Sequence, residues 1–114
     1  MKKLLLPLVV AVFAASCATT SPALYDWKGY DDAVYTYIKT ADAQSMENLM
    51  TVYAKLMTST AGARKVPPPG MCADYGYLLL KQGKTAEGKD LLTKETMLYP
   101  ESKPFVDRLL KRFE

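Results

Sequence analysis

The sequence predicts an all-α protein of about five helices, and three observations carry that prediction. Apolar residues recur at three- and four-residue spacing in five successive stretches, the period of one helix face. No stretch alternates apolar with polar residues as a half-buried strand would. No Asn-Gly or Asp-Gly pair offers a two-residue hairpin turn.

The first helix is predicted from Lys28 to Thr40. Tyr30, Ala33, Val34, Tyr37 and Ile38 share a face there, and Asp31 and Asp32 fill the first turn, where the helix dipole favours anions. A second runs from Asp42 or Ser45 to about Ala61, with Met46, Leu49, Met50, Tyr53, Leu56 and Met57 keeping the spacing for three turns. Gly62 and Pro67-Pro68-Pro69-Gly70 then stop the pattern and divide the domain into halves. A third helix is predicted from about Pro69 to Gln82, with Gly83 as a left-handed C-terminal cap. A fourth follows from Thr85 to about Tyr99 and is ended by Pro100. Ser102 is expected to cap the start of a fifth, in which Phe105, Val106, Leu109, Leu110 and Phe113 form an apolar stripe.

Composition narrows the chemistry. The 114 residues are 49% hydrophobic and 24% charged, which suits one small packed domain rather than a disordered chain. There is no His, so Ser-His-Asp and Cys-His nucleophiles, His-ligated zinc and His-based acid/base catalysis are all excluded. Two Cys are too few for a disulfide scaffold or a four-thiolate metal site. No cofactor or metal is expected.

The start of the chain reads as an address. Met1-Lys2-Lys3 is basic, Leu4 to Phe13 is an apolar run broken only by Pro7, and small residues Ala14-Ala15-Ser16 precede Cys17. The apolar run is about half of the roughly 20 residues a membrane-spanning helix needs. Small residues directly before Cys17 resemble the lipobox of bacterial lipoproteins, with Ala14 in place of the common Leu. That resemblance implies that the thiol of Cys17 is acylated and the chain cut before it. The alternative is an ordinary signal peptide cut nearby. Ala18, rather than Asp, after the Cys resembles the enterobacterial signal for the outer membrane. The expected organisation is a signal peptide over 1–16, a lipidated Cys and flexible tether over 17–24, and a helical domain over 25–114. Removing residues 1–16 leaves 98 and takes two lysines with it, so the formal charge falls from +3 to +1. No basic stripe survives, and nucleic acid is not an expected partner.

The segment from Pro69 to Ser102 spans 34 residues, the period of the tetratricopeptide repeat, and resembles one copy of it. Gly76 and Gly88 stand where that motif uses small residues to bring two helices together. Lys81-Gln82-Gly83 matches its turn, and Leu92, Leu98 and Pro100 complete the register. Cys72 replaces the usual Trp, and Glu95 stands where a small apolar residue is expected. Gly29-Tyr30-Asp31-Asp32-Ala33-Val34-Tyr35 resembles the start of the second helix of another unit. The resemblance implies helix pairs followed by a C-terminal capping helix; the rival reading is a plain five-helix bundle. Taken whole, a chain with Tyr25-Asp26-Trp27-Lys28-Gly29-Tyr30 near its start, Pro67-Pro68-Pro69-Gly70 midway and the Gln82-Gly83 turn resembles the bacterial family called domain of unknown function 4810. Members of that family tend to be encoded beside a lipoprotein similar to the curli secretion channel and another small lipoprotein, which implies a role in envelope assembly.

Cys72 is either a reactive thiol or a small buried hydrophobe, and the lack of any His to activate it favours burial. Met46, Met50 and Met57 suit soft-metal ligation or core filling, and the face they share with Leu49, Tyr53 and Leu56 favours the core. Adjacent Asp31 and Asp32 point apart on a helix and make a poor acid/base pair. Trp27 and the early tyrosines form either a ligand platform or a hydrophobic lid. In tetratricopeptide arrays the first helix of each unit lines the concave face, so Ala73, Tyr77, Leu80 and Lys81 would face it here. They form either a partner-binding groove or the seat on which the Met-rich helix packs.

The expected function is therefore non-enzymatic: an outer-membrane-anchored, periplasm-facing lipoprotein serving as a protein–protein interaction module in an envelope complex. Its expected partners are the membrane, through the lipid, and other envelope lipoproteins or a secretion-channel-like protein, with self-association also open. The alternative is a small cell-wall-active enzyme using carboxylates, which would need two acids, such as Asp74 and Glu95, converging in one pocket.

Overall fold

The computed structural model describes residues 22–114, which form five α-helices and, within that span, no strand. Helix α1 is Tyr30–Thr40, α2 Ala43–Thr58, α3 Met71–Lys81, α4 Thr85–Leu98 and α5 Lys103–Leu110, with a 3-10 turn at Pro100–Ser102 before α5. None of these helices is long and apolar enough to cross a membrane.

Local chemistry explains most of the boundaries. Lys28 and Gly29 both take positive φ (50° and 76°), and the turn they make launches α1 with the Tyr30 N–H donating to the Trp27 carbonyl at 2.9 Å. Asp42 caps α2: its Oδ1 accepts from the Ser45 N–H at 2.7 Å. That backbone bond, followed by the one from the Ser45 hydroxyl, holds the Asp42 carboxyl below its ordinary pKa. Helix α3 ends as predicted at Gly83, whose φ is 81°. The Gly83 N–H donates to Leu80 O at 3.0 Å and the Lys84 N–H to Leu79 O at 2.9 Å, the paired bonds of a Schellman cap.

Helix α2 stops three residues short of the predicted Ala61, because the chain beyond it is used to hold the start of the domain. The Ala63 N–H donates to Ala23 O at 2.9 Å and the Arg64 N–H to Leu24 O at 3.0 Å. Ala23 and Leu24 are thus tied by their carbonyls to the loop after α2. A Cβ on Gly62 would lie 2.9 Å from the Leu24 carbonyl oxygen, and its φ is 84°, so both the close approach and the backbone conformation require glycine there.

The helices pack as two antiparallel hairpins, α1 on α2 and α3 on α4, with α5 laid over the second. Leu49, Tyr53, Leu56 and Met71 form one buried cluster, bordered by Tyr30, Val34, Tyr37, Met57 and Tyr75. Ala73, Leu80, Leu92 and Val106 form another, bordered by Leu109, Leu110 and Phe113. Between α3 and α4 the predicted glycine contact is present. A Cβ on Gly76 would meet the Gly88 carbonyl oxygen at 2.8 Å, and one on Gly88 would meet Leu80 Cγ at 2.7 Å. Only residues without a side chain let these two backbones approach so closely.

Two expectations for the C-terminal region need correction. Ser102 does not cap α5; it lies in the 3-10 turn with helical backbone angles, and its hydroxyl reaches Glu95 instead. Pro104, in the first turn of α5, has no N–H to be capped. Phe105 is 46% exposed and outside the apolar stripe, which consists of Val106, Leu109, Leu110 and Phe113 at helical spacing. The methionines also divide. Met57 borders the first core, while Met46 and Met50 line an open groove of about 490 Å³ beside Tyr75.

Candidate functional site

Glu95 is the buried polar residue around which the second half is organised. It is fully buried, and its carboxyl accepts from the Gly70 N–H at 2.8 Å, the Ala73 N–H at 3.3 Å and the Ser102 hydroxyl at 3.2 Å. Gly70, with φ 88°, has no side chain to cap α3. A side chain from α4 therefore satisfies two of the N–H groups that the start of α3 leaves free, and the dipole of α3 favours the negative charge there. Four residues on, the Tyr99 hydroxyl donates to Pro67 O at 2.7 Å, and Pro68 is buried beneath this strap. The proline segment is thereby tied to α4 at both ends. Glu95, one of the two departures from the expected repeat pattern, thus ties α4 to the start of α3.

Cys72 sits in the same region. Its Sγ is fully buried and 3.5 Å from Met57 Sδ. Burial first, and the charge of Glu95 second, push the thiol pKa up to about 11. Cys72 is thus the buried thiol favoured from sequence. Iodoacetamide at pH 7.5 is expected to modify Cys72 at least about a hundredfold more slowly in the native protein than in denaturant, read by mass spectrometry of its peptide. Rapid native modification would contradict this placement.

Asp74 and Glu95 do not share a pocket. Glu95 is sealed under α3, whereas Asp74 lines a separate cavity of about 230 Å³ with Tyr30, Val34, Tyr37, Ile38, Leu49, Tyr53, Tyr77 and Leu78. This cavity lies between α1 and α3, with α2 as its floor. Burial, and then the charge of Glu95, raise the Asp74 pKa above the ordinary carboxylate value. No described side chain forms an ion pair with its carboxyl, whose oxygens are not sealed from solvent. The arrangement holds one carboxyl among aromatic rings and gives a general acid no second acid to work with.

The rings around it are themselves ordered. Trp27 and Tyr30 have centroids 6.1 Å apart, Tyr30 and Tyr53 5.7 Å, and Tyr53 and Tyr75 are stacked at 5.5 Å. Tyr30 closes over the first core as a lid would, while Trp27 stays 42% exposed. Burial pushes the Tyr53 hydroxyl well above the ordinary tyrosine pKa.

The four positions expected on a concave face are distributed differently. Ala73 and Leu80 are buried in the second core against Val106, so neither lines a groove. They pack with Leu92 of α4 and Val106 of α5, and not with the methionines of α2. Tyr77 meets Phe113 edge-on at 5.9 Å and also lines the Asp74 cavity. Lys81 is exposed, its ammonium 5.6 Å from the Tyr77 ring centre. Cys17 lies outside the described residues. Tyr30, Tyr37, Tyr53 and Asp74 were not recognised as one site from sequence. Spacing revealed the faces of α1 and α3, yet nothing local indicates that those faces confront each other across α2.

A family model described as "Domain of unknown function (DUF4810)" matches residues 24–109. The chain belongs to that family. No curated protein and no solved structure matches it. The matched span of this domain-of-unknown-function-4810 protein contains the Glu95 lock, both glycines of the helix contact and every residue of the Asp74 cavity. Those features therefore lie within the family's own domain, whereas Cys17 precedes it.

Proposed function

We propose that this protein is a lipoprotein anchored through Cys17 in the outer membrane and facing the periplasm. Its helical domain acts as a protein–protein interaction module that helps assemble or stabilise an envelope complex, with another envelope lipoprotein or a secretion-channel-like protein as partner. In this reading α3 and α4 form a tetratricopeptide-like unit, α1 and α2 a partial one, and α5 the terminal cap. The Gly76–Gly88 approach and the Gly83 turn support the repeat reading.

One observation carries the interaction role. Helix α5 covers the second hairpin, but the aromatic cavity between α1 and α3 has no such cover among the described residues, and Ile38 on its rim is 73% exposed. An aromatic recess with an exposed aliphatic edge is the usual composition of a binding surface. The carboxylate-enzyme alternative is less well supported, since its two acids occupy different sites.

The experiment compares affinity purification from crosslinked envelopes for the wild type, Cys17→Ser and Ile38→Arg. Cys17→Ser is expected to abolish acyl labelling and release the protein from the membrane fraction, since acyl chains contribute about 0.8 kcal/mol per buried methylene. Ile38→Arg is expected to leave membrane attachment intact and lose the partner. Unchanged fractionation of Cys17→Ser would sink the lipoprotein reading, and full partner recovery by Ile38→Arg would sink the groove.

A further inference from the structure

We infer that the cavity between α1 and α3 is a cation-accepting site, built to receive an arginine or lysine side chain from the protein partner. The inference deepens the interaction reading and rests on it.

Asp74 is the one charged residue among the nine that line the cavity, and four of the others are tyrosines. No Lys or Arg lies within ion-pair distance of it; the two ion pairs among the described residues are Lys28–Asp26 and Lys103–Asp107. The nearby cation Lys81 lies over the Tyr77 ring, and it is not among the residues that line the cavity. Asp74 stands in the first turn of α3, where the helix dipole favours an anion, yet it is half-buried and no described side chain supplies a counter-charge, and burial raises its pKa. A cation entering the cavity would supply that counter-charge.

The walls suit the same guest. Tyrosine faces attract a desolvated cation through their ring quadrupole, and the stem of an Arg or Lys packs well on aliphatic groups such as Val34 and Ile38. At about 230 Å³ the cavity accommodates a single side-chain head with part of its stem, and not a folded element. Guanidinium and ammonium groups are the organic cations that a protein partner can present, so charge complementarity selects the occupant.

The test uses the full-length protein in non-ionic detergent, titrated with N-acetyl-arginine methylamide, its lysine counterpart and the neutral citrulline analogue, and read by the nuclear magnetic resonance shifts of Tyr37 and Tyr77. The arginine or the lysine probe is expected to bind at least about fivefold more tightly than citrulline, and Asp74→Asn to weaken it at least about fivefold with an unchanged thermal midpoint. Tyr37→Leu leaves the carboxyl in place and is expected to weaken the same probe, so the proposal stays testable should Asp74→Asn fail to fold. Equal binding of citrulline, or full affinity in Asp74→Asn, overturns the proposal. So does binding of tetramethylammonium without either side-chain probe. Partner capture that depends on Ile38 without probe binding overturns the cation site alone. Probe binding without any partner leaves the site standing and removes the interaction reading.

Discussion

Replacing Glu95 by Ala is expected to destabilise the domain by about 3 kcal/mol or more, a large share of what a domain this size has. The loss comes from the donors left behind. The N–H groups of Gly70 and Ala73 and the Ser102 hydroxyl all converge on this carboxyl, which is fully buried. Each unsatisfied buried donor costs about 1–3 kcal/mol. Glu95→Gln keeps the shape and one acceptor but points an amide N–H₂ at a backbone donor, so it is expected to fall between wild type and Ala. Urea unfolding followed by circular dichroism measures both. A Glu95→Ala midpoint indistinguishable from wild type would show that Glu95 does not hold α3 in place.

The second large effect is expected at the glycine contact. Gly88→Val is expected to cost about 3 kcal/mol or more, because its first carbon already falls 2.7 Å from Leu80 Cγ and 2.8 Å from the Gly76 carbonyl oxygen. A flexible side chain can move aside, but the carbonyl is α3 backbone. Gly76→Ala tests the same contact from the other helix, meeting the Gly88 carbonyl oxygen at 2.8 Å. Helix propensity alone predicts the opposite sign, a gain of about 1 kcal/mol for Ala over Gly in a helix interior. The sign of the Gly76→Ala change therefore decides between propensity and packing. The two substitutions should also be strongly non-additive, since they open the same gap.

What could be read from sequence follows the range of the interactions involved. The helices were legible because the spacing of residues such as Leu49, Tyr53 and Leu56 reflects one buried face. The Gly83 cap is likewise a local event, and the Gly76–Gly88 pair was legible through the repeat register. The role of Glu95 was not, because its two backbone donors lie 22 and 25 residues earlier in the chain. The same holds for the cavity. Tyr30 and Tyr37 on α1, Tyr53 on α2 and Asp74 and Tyr77 on α3 become one site only when two hairpins are set side by side. For Ala73 and Leu80 the sequence left open either a groove or the Met-rich helix as cover, because an apolar stripe shows that a helix packs, and not on what; they share a core with Leu92 and Val106.

In the proposed function the protein presents its α1–α3 cavity to a protein in the envelope. A photocrosslinking amino acid at Ile38, on the rim of that cavity, tests it most directly, with Met97, which is 77% exposed and does not line it, as the matched control position. Irradiation of intact cells is expected to give one discrete adduct from position 38, identifiable by mass spectrometry, and none from position 97. The same adduct from both positions, or none from position 38 while the protein remains folded and membrane-bound, would contradict the account.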